Sequence, residues 1–544
     1  MTPPFEVISG YNPPAAGPAQ LSLEWDPAVA NTDASILADI KGYKVYYGTE
    51  TGVYTDSLDL TAVSGNELDT ECILTGLLDG VTYYCSPVTI DDDGNESAYA
   101  TEVNAVASIP VTPSEPTWTD IGSADLPYTI SSNGNYRLSE SVTYGSGAAI
   151  TVNGGLTDVK IYGSNRSWGD GEAGINFTYA NGGNGQAINV ASGSVVDVYG
   201  FNFILGTGTH SANSGGCPVY TSGTFGAGSK VHDCDFDLDG NYARGVYAAT
   251  NLNGIRIYDN TGTFANGSAN QSLVFGTANS IANRVRIYNN NITMDNASWY
   301  VGLVHFCDYA ETYGNTLTIN SNCVKPFLVQ GWSTDYQFIH NNTVVVNGVN
   351  TRICNQDGGS ANWWLHYNNF VLNQSVAGVG ISRAIRLRYG GNNQVVGYNT
   401  IDADADIYSV CHAWGGSDQI GASYGLYLYK NNMTSRNICF EIYGDEISQG
   451  YGGRTWGNTM NAVAGYCINM NANTLDIDDI EFNDDILTAV GDTVRIQTHA
   501  PAWRVHDSFN TNDVTGNDAN INYAGTPTYP VSNTPNAPTG VVVQ

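Results

Sequence analysis

Positive charge is scarce in this chain. Only 20 of its 544 residues are Lys or Arg, against 52 Asp or Glu, and the formal net charge is -32. Such a field repels phosphate backbones and anionic lipid headgroups, so nucleic acid is not an expected partner. Charged residues of both signs make up just 13%, too few to lace long helices with surface ion pairs. No run of 18 apolar residues occurs, and no transmembrane helix is expected. The ten cysteines include no Cys-x-x-Cys pair. That removes the usual zinc spacing and leaves disulfides in an oxidising compartment as the expectation. Met1-Thr2-Pro3-Pro4 does not open a basic stretch followed by an apolar one. A leader removed earlier, another export route, or a phage component released by lysis would each fit an extracellular or cell-surface protein.

What is abundant points to strands. The 62 Gly and 35 Tyr suit tight turns and pleated surfaces, and the chain reads as all-β. The acidic excess either attracts divalent cations or forms a solvated surface, the commoner reason for it.

The first hundred residues hold short alternating strands: Gln20 to Asp26, Gly42 to Thr49, Cys72 to Leu77 and Val81 to Cys85. A period of two implies a sandwich in which one face of each sheet is buried. Trp25, the Gly-Tyr-Lys-Val-Tyr-Tyr-Gly-Thr strand, the Leu77 to Tyr83 corner and Asp93-Gly94-Asn95-Glu96-Ser97 together resemble fibronectin type III domains, over residues 1–108. The resemblance implies a spacer or adhesive module. It also implies that Cys72 and Cys85 face inward from opposite sheets, where a disulfide and two buried free thiols are both open.

A Pro-rich link over 109–119 follows, and the pattern then changes. An apolar strand, an aromatic or His, one variable residue and then Asn recur at Ile257-Tyr258-Asp259-Asn260, Ile287-Tyr288-Asn289-Asn290, Thr312-Tyr313-Gly314-Asn315, Ile339-His340-Asn341-Asn342, His366-Tyr367-Asn368-Asn369, Leu428-Tyr429-Lys430-Asn431 and Thr455-Trp456-Gly457-Asn458. With weaker copies, about thirteen repeats at a period of roughly 25 to 37 residues mark stacked units. Asn suits the turn slot because it tolerates left-handed backbone angles and can hydrogen-bond its counterpart one coil away. His232, His340 and His506 occupy the aromatic slot and are expected to stack in a ladder there. The pattern resembles the right-handed parallel β-helix family, which includes pectate-lyase-like enzymes, phage tailspikes and secreted surface proteins. It covers residues 120–515, and about thirteen coils at ~4.8 Å imply a stack on the order of 60 Å long.

A second strand, before each Asn turn, changes its outward residues from coil to coil. It offers His305 and Asp308, Gln330 and Trp332, then Arg352, Asn355 and Asp357. Further on come Arg386, Arg388 and Tyr389, His412 and Trp414, then Glu441 and Asp445. Stacked, these would line one face, with aromatic rings for sugar rings and charged groups to grip an acidic polysaccharide. An ordinary solvated β-helix face is the plainer alternative. Arg386, Arg388, His305 and His412 are the catalytic candidates. Asp308, Trp332, Arg352, Asp357, Tyr389, Trp414 and Glu441 are the glycan-binding ones. Ile385 to Gly390 is similar to the arginine coil of alginate- and chondroitin-type lyases, which pair the Arg with a Lys on the preceding coil. Here that coil offers Arg352 and no Lys, and an Arg that stays protonated is a poor base. No motif sets two carboxylates at a glycosidase separation.

No cofactor is expected beyond calcium, for which alternating acidic residues that include Asp235, Asp237, Asp404 and Asp478 are candidates without a dedicated loop motif. The tail over 516–544 ends in Asn533 to Gln544, whose Val541, Val542 and Val543 resemble the first strand of another fibronectin type III domain. An orphan strand adds to a sheet edge. The expected function is therefore a structural fibre or sheath subunit, linked when the tail of one copy docks on the sandwich of the next. The alternative is a polysaccharide lyase, hydrolase or glycan-binding protein, a trimeric tailspike included, using the His305 to Glu441 face.

Overall fold

The computed structural model describes residues 18–543 apart from 34, 64, 66, 111–114, 146, 164–174, 180–184, 206–215, 266–270, 277–282, 296–300, 306, 321–325, 333–334, 348–351, 358–361, 374–382, 389–392, 404–408, 416–423, 445–451, 473–477, 484, 490–493, 497–501, 506–513, 517–520 and 523–534. The described residues form strands, with two single 3-10 turns at Leu60–Ala62 and Ser123–Asp125. None of their helices is long and apolar enough to cross a membrane. The chain divides into two compact units. One takes residues up to Thr117 together with those from Thr528 onward, and the other takes most of what lies between.

The first unit holds two antiparallel sheets. In one, Ala19–Asp26 lies between Glu71–Leu77 and Thr539–Val543; the other runs Asp56–Asp59, Ile40–Gly48, Thr82–Asp91, Val103–Val106. Ala19, Leu21, Leu23 and Trp25, at every second position, are buried, as the period of a half-buried strand requires. Trp25 meets Tyr43 edge to face at 5.6 Å. The Tyr83 hydroxyl accepts from the Leu78 N–H at 3.1 Å and fixes the corner.

The second unit is a parallel β-solenoid. Its described strands form three sheets of 13, 15 and 16 strands, and each strand pairs with its counterparts one coil before and after. Parallel ladders run from Thr119–Ile121 to Ile521–Asn522. Apolar residues stack in register inside: Ile292, Leu317, Val344, Phe370 and Ile401 follow one another in the 13-stranded sheet and are buried. Each coil covers the open edge of the last, so the apolar stripe that one coil leaves exposed is buried by the next.

Two ladders flank this core. In the first, Tyr199, His232, Tyr258, Tyr288, Tyr313 and His340 stack in near-parallel planes, with centroids 4.7 to 5.2 Å apart. His366 continues that column by register, a position the sequence pattern assigns to Tyr367 instead. His506 lies outside the described residues.

The second ladder is Asn260, Asn290, Asn315, Asn342, Asn368, Asn399, Asn431 and Asn458. Each donates its side-chain Nδ2–H to the Oδ1 of the next at 2.9 to 3.0 Å. From Asn290 onward each ladder Oδ1 also accepts the backbone N–H of the Asn one coil back, as from Asn290 to Asn315 at 3.0 Å, and Asn260 Oδ1 accepts that of Cys234 at 3.0 Å. The left-handed backbone falls one residue earlier than the pattern suggested. Asp259, Asn289, Gly314, Asn341, Tyr367, Tyr398, Lys430 and Gly457 have φ between 46° and 66°. The ladder Asn is thus chosen for its amide, and the variable residue before it carries the turn.

Candidate functional site

Each coil adds one strand to the 15-stranded sheet. Val274, Val304, Val329, Cys354 and Ile385 follow one another in register there and lie in the core. Alternation turns the next residue of each strand away from that core. The resulting column reads Phe275, His305, Gln330, Asn355, Arg386, His412, Glu441 and Asn469. Sequence-predicted candidates from four different coils therefore share one ladder.

Other candidates fall beside it. Trp332 and Asp357 are paired two residues further along their strands, as are Arg388 and Trp414. Of these four, and of His412, the structure describes the backbone position. Arg352 is opposed in register to Arg383. Asp308 lies beyond the end of Val301–His305, where its Oδ1 accepts the Asp335 N–H at 3.0 Å and burial lifts its pKa to about 6. Tyr389 and Asp445 lie outside the described residues.

The column departs from the expected solvated face in one respect. His305, Gln330, Asn355, Arg386, Glu441 and Asn469 are each 4% exposed or less. Polar groups buried in this way are held by hydrogen bonds, because desolvation is otherwise uncompensated. Arg386 Nη1 donates to Asn355 Oδ1 at 3.3 Å, and Asn469 Nδ2 donates to Glu441 Oε1 at 3.1 Å. At the other end the rings close up: His305 meets Phe275 edge-on at 5.3 Å, and the Arg244 guanidinium lies 3.8 Å from the Phe275 centroid. Burial, with the Arg244 charge, pulls the His305 pKa down to about 3. A neutral imidazole that binds protons so weakly is a poor general base.

Glu441 is the one carboxylate among the described side chains of the column, and glycoside hydrolysis takes two. Positive charge is concentrated instead: Arg352, Arg383 and Arg386 stand on the adjacent strands Arg352–Asp357 and Arg383–Arg388, in a chain that has 20 basic residues altogether. Arg383 and Asn469 were missed in the sequence, although each sits at a fixed offset from a core residue and the register alone would find it.

A second buried polar group, also missed, is structural. Arg284 Nε and Arg286 Nε reach Glu311 Oε2 at 2.5 and 3.2 Å, and His340 Nε2 lies 3.5 Å from Oε1. Burial would raise the Glu311 pKa, but Arg284, His340 and Arg286 outweigh it and hold the carboxyl well below the usual range.

The calcium candidates do not converge. Asp235 accepts from Thr261 Oγ1 at 2.8 Å, and burial with Asp239 and Asp235 raises Asp237. Asp404 lies outside the described residues, and Asp478 is described by its backbone on Asp478–Asn483. Among the described residues no three His, Cys, Asp or Glu are placed to hold a metal ion.

Cys72 and Cys85 are buried on strands of the two different sheets of the first unit and stand as free thiols, one of the two readings that the sequence left open. Burial pushes the Cys85 thiol up to about 12. The tail strand pairs within its own chain: Val543 opposes Leu23, Val542 opposes Glu24 and Thr539 opposes Asp26.

No protein-family model and no curated protein matches the chain. Among solved structures, a family 28 exopolygalacturonase of Yersinia enterocolitica is 11% identical over 88% of this chain and 95% of its own, with a TM-score of 0.29. Likeness at that level says nothing about the chemistry of this chain.

Proposed function

We propose that the protein is a carbohydrate-binding surface protein that holds an acidic polysaccharide along the 15-stranded sheet. The observation that carries this reading is the set of basic and aromatic positions that the register gathers beside the buried column, half-buried Arg352 with Trp332, Arg388 and Trp414 on neighbouring strands. A ladder repeats its functional groups at ~4.8 Å, which suits a polymer whose own groups repeat along its length. Guanidinium groups select carboxylates through paired hydrogen bonds. Binding without cleavage is favoured because, among its described side chains, the column offers Glu441 without a second carboxylate and His305 without basicity. Affinity electrophoresis through gels loaded with polyuronate, sulfated or neutral polymers tests it. Retardation by polyuronate that fades with added salt is expected; equal mobility in all gels would refute it.

A second reading rests on the tail. The pairing of Thr539–Val543 with Ala19–Asp26 would link copies if the strand were exchanged between chains, giving a structural polymer. Light scattering across a concentration series, with and without residues 531–544, tests this. Concentration-dependent growth that the deletion abolishes supports strand exchange, and a constant monomer mass counts against it.

A further inference from the structure

We propose that Cys439 and Cys467 form a disulfide that staples two neighbouring coils of the solenoid from within. The strands Ile438–Gly444 and Tyr466–Ala472 run parallel, with Ile438 opposite Tyr466 and Phe440 opposite Ile468. Cys439 therefore stands directly across from Cys467. Both are fully buried and belong to the same apolar core. Strands one coil apart are separated by ~4.8 Å, inside the roughly 4.4 to 6.8 Å between Cα atoms that a disulfide spans.

The thiols already meet. Cys467 Sγ donates within reach of Met460 O at 3.3 Å and Thr488 O at 3.2 Å, and Cys439 Sγ lies 3.7 Å from Met433 O. Their mutual hydrogen bond is the largest influence on each, raising Cys439 and lowering Cys467. Among the described residues no other pair of cysteines in this sheet is so placed: Cys354 and Cys411 share a column, but Ile385 stands between them, at about two strand spacings.

The chemistry requires an oxidant, and a small-molecule disulfide such as glutathione disulfide supplies it by exchange. The Cys467 thiolate attacks one sulfur of that disulfide, giving a mixed disulfide and releasing one thiolate. The Cys439 thiolate then attacks the Cys467 sulfur and expels the second, so two protein thiols become one S–S bond and the reagent leaves as two thiols. Because the folded core excludes the reagent, the bond forms while the coils are still open. It closes one full turn of the solenoid and resists opening of the coils that follow.

The test uses the full chain refolded in a mixture of reduced and oxidised glutathione. The product is unfolded with an alkylating reagent present and no reductant, then digested and mapped by mass spectrometry. A peptide from Ile438–Gly444 linked to one from Tyr466–Ala472 is expected. Alkylation at both cysteines, or linkage of either to another cysteine, would overturn the proposal. Hydrogen exchange then compares oxidised and reduced protein. Exchange in these two strands should slow by about tenfold or more on oxidation, and an unchanged rate would overturn the stapling role even where the bond forms.

Discussion

Asn458 donates its backbone N–H and its side-chain Nδ2–H to the same carboxylate oxygen of Asp485, both at 2.8 Å. Asp485 is fully buried and also accepts from the Thr455 hydroxyl. The Asn ladder thus runs into a carboxylate, which accepts but cannot donate onward. Replacing Asp485 by Ala leaves two buried donors of Asn458 without a partner, a loss of about 1–3 kcal/mol. Asp485→Asn keeps an accepting oxygen and should lose less. Denaturant melts of the two variants check the order, and equal stability for both would contradict the ladder's role.

His232 is clamped between Asp197 and Asp233, at 2.8 and 2.6 Å, and sandwiched by Tyr199 and Tyr258. Burial pulls its pKa down, but the two carboxylates outweigh burial and lift it from 6.5 to about 9. A raised pKa means stabilisation that is complete below about pH 6.5 and is lost as pH rises through about 9. His232→Tyr keeps the ring stack and removes the charge. The melting-temperature gap between wild type and this variant should be widest near pH 6 and shrink towards pH 10; a constant gap would contradict the assignment.

Both ladders were legible in the sequence because they obey a strict rule. Every coil needs the same amide in the same slot, so Asn260 to Asn458 advertise themselves by repetition. The candidate column was legible as a set of positions, since register follows from the same repeat. Its burial was not. A strand's own residues tell which way His305 or Glu441 faces, but exposure depends on chain distant in sequence, and no local pattern encodes it. The left-handed turn residue was misplaced for a related reason: Asp259, Tyr367 and Lys430 are chemically diverse, so the invariant Asn drew an angle that its neighbour adopts.

Gly540 sits at φ +60°, and a Cβ there would run into the Asp26 carboxylate. The backbone alone disfavours Ala by roughly 1 kcal/mol, and the clash adds to it. Gly540→Ala should loosen Thr539–Val543 and leave the solenoid's melting unchanged. Faster amide exchange in the tail strand, with the Asn536 contacts to Ala30 and Asn31 lost in parallel, is the expected result. Unaltered exchange would show that the close approach is not required.

Arg352 is half-buried beside the candidate column, opposite Arg383 in register. Arg352→Gln preserves much of its volume and removes its charge. If one charge-assisted contact to a uronate is lost, affinity for polyuronate should fall about tenfold, from roughly 1.5 kcal/mol. Titration calorimetry with the folded variant checks this, and undiminished affinity would exclude Arg352 from the site.

Hydrogen exchange measured with and without a saturating polyuronate oligosaccharide is the most direct test of the proposed binding face. Protection centred on Arg352–Asp357, Arg383–Arg388 and Ser409–Gly415, with none in the 13-stranded sheet, is the predicted result. Protection confined to another face, or none at a concentration that retards the protein in gels, would contradict it.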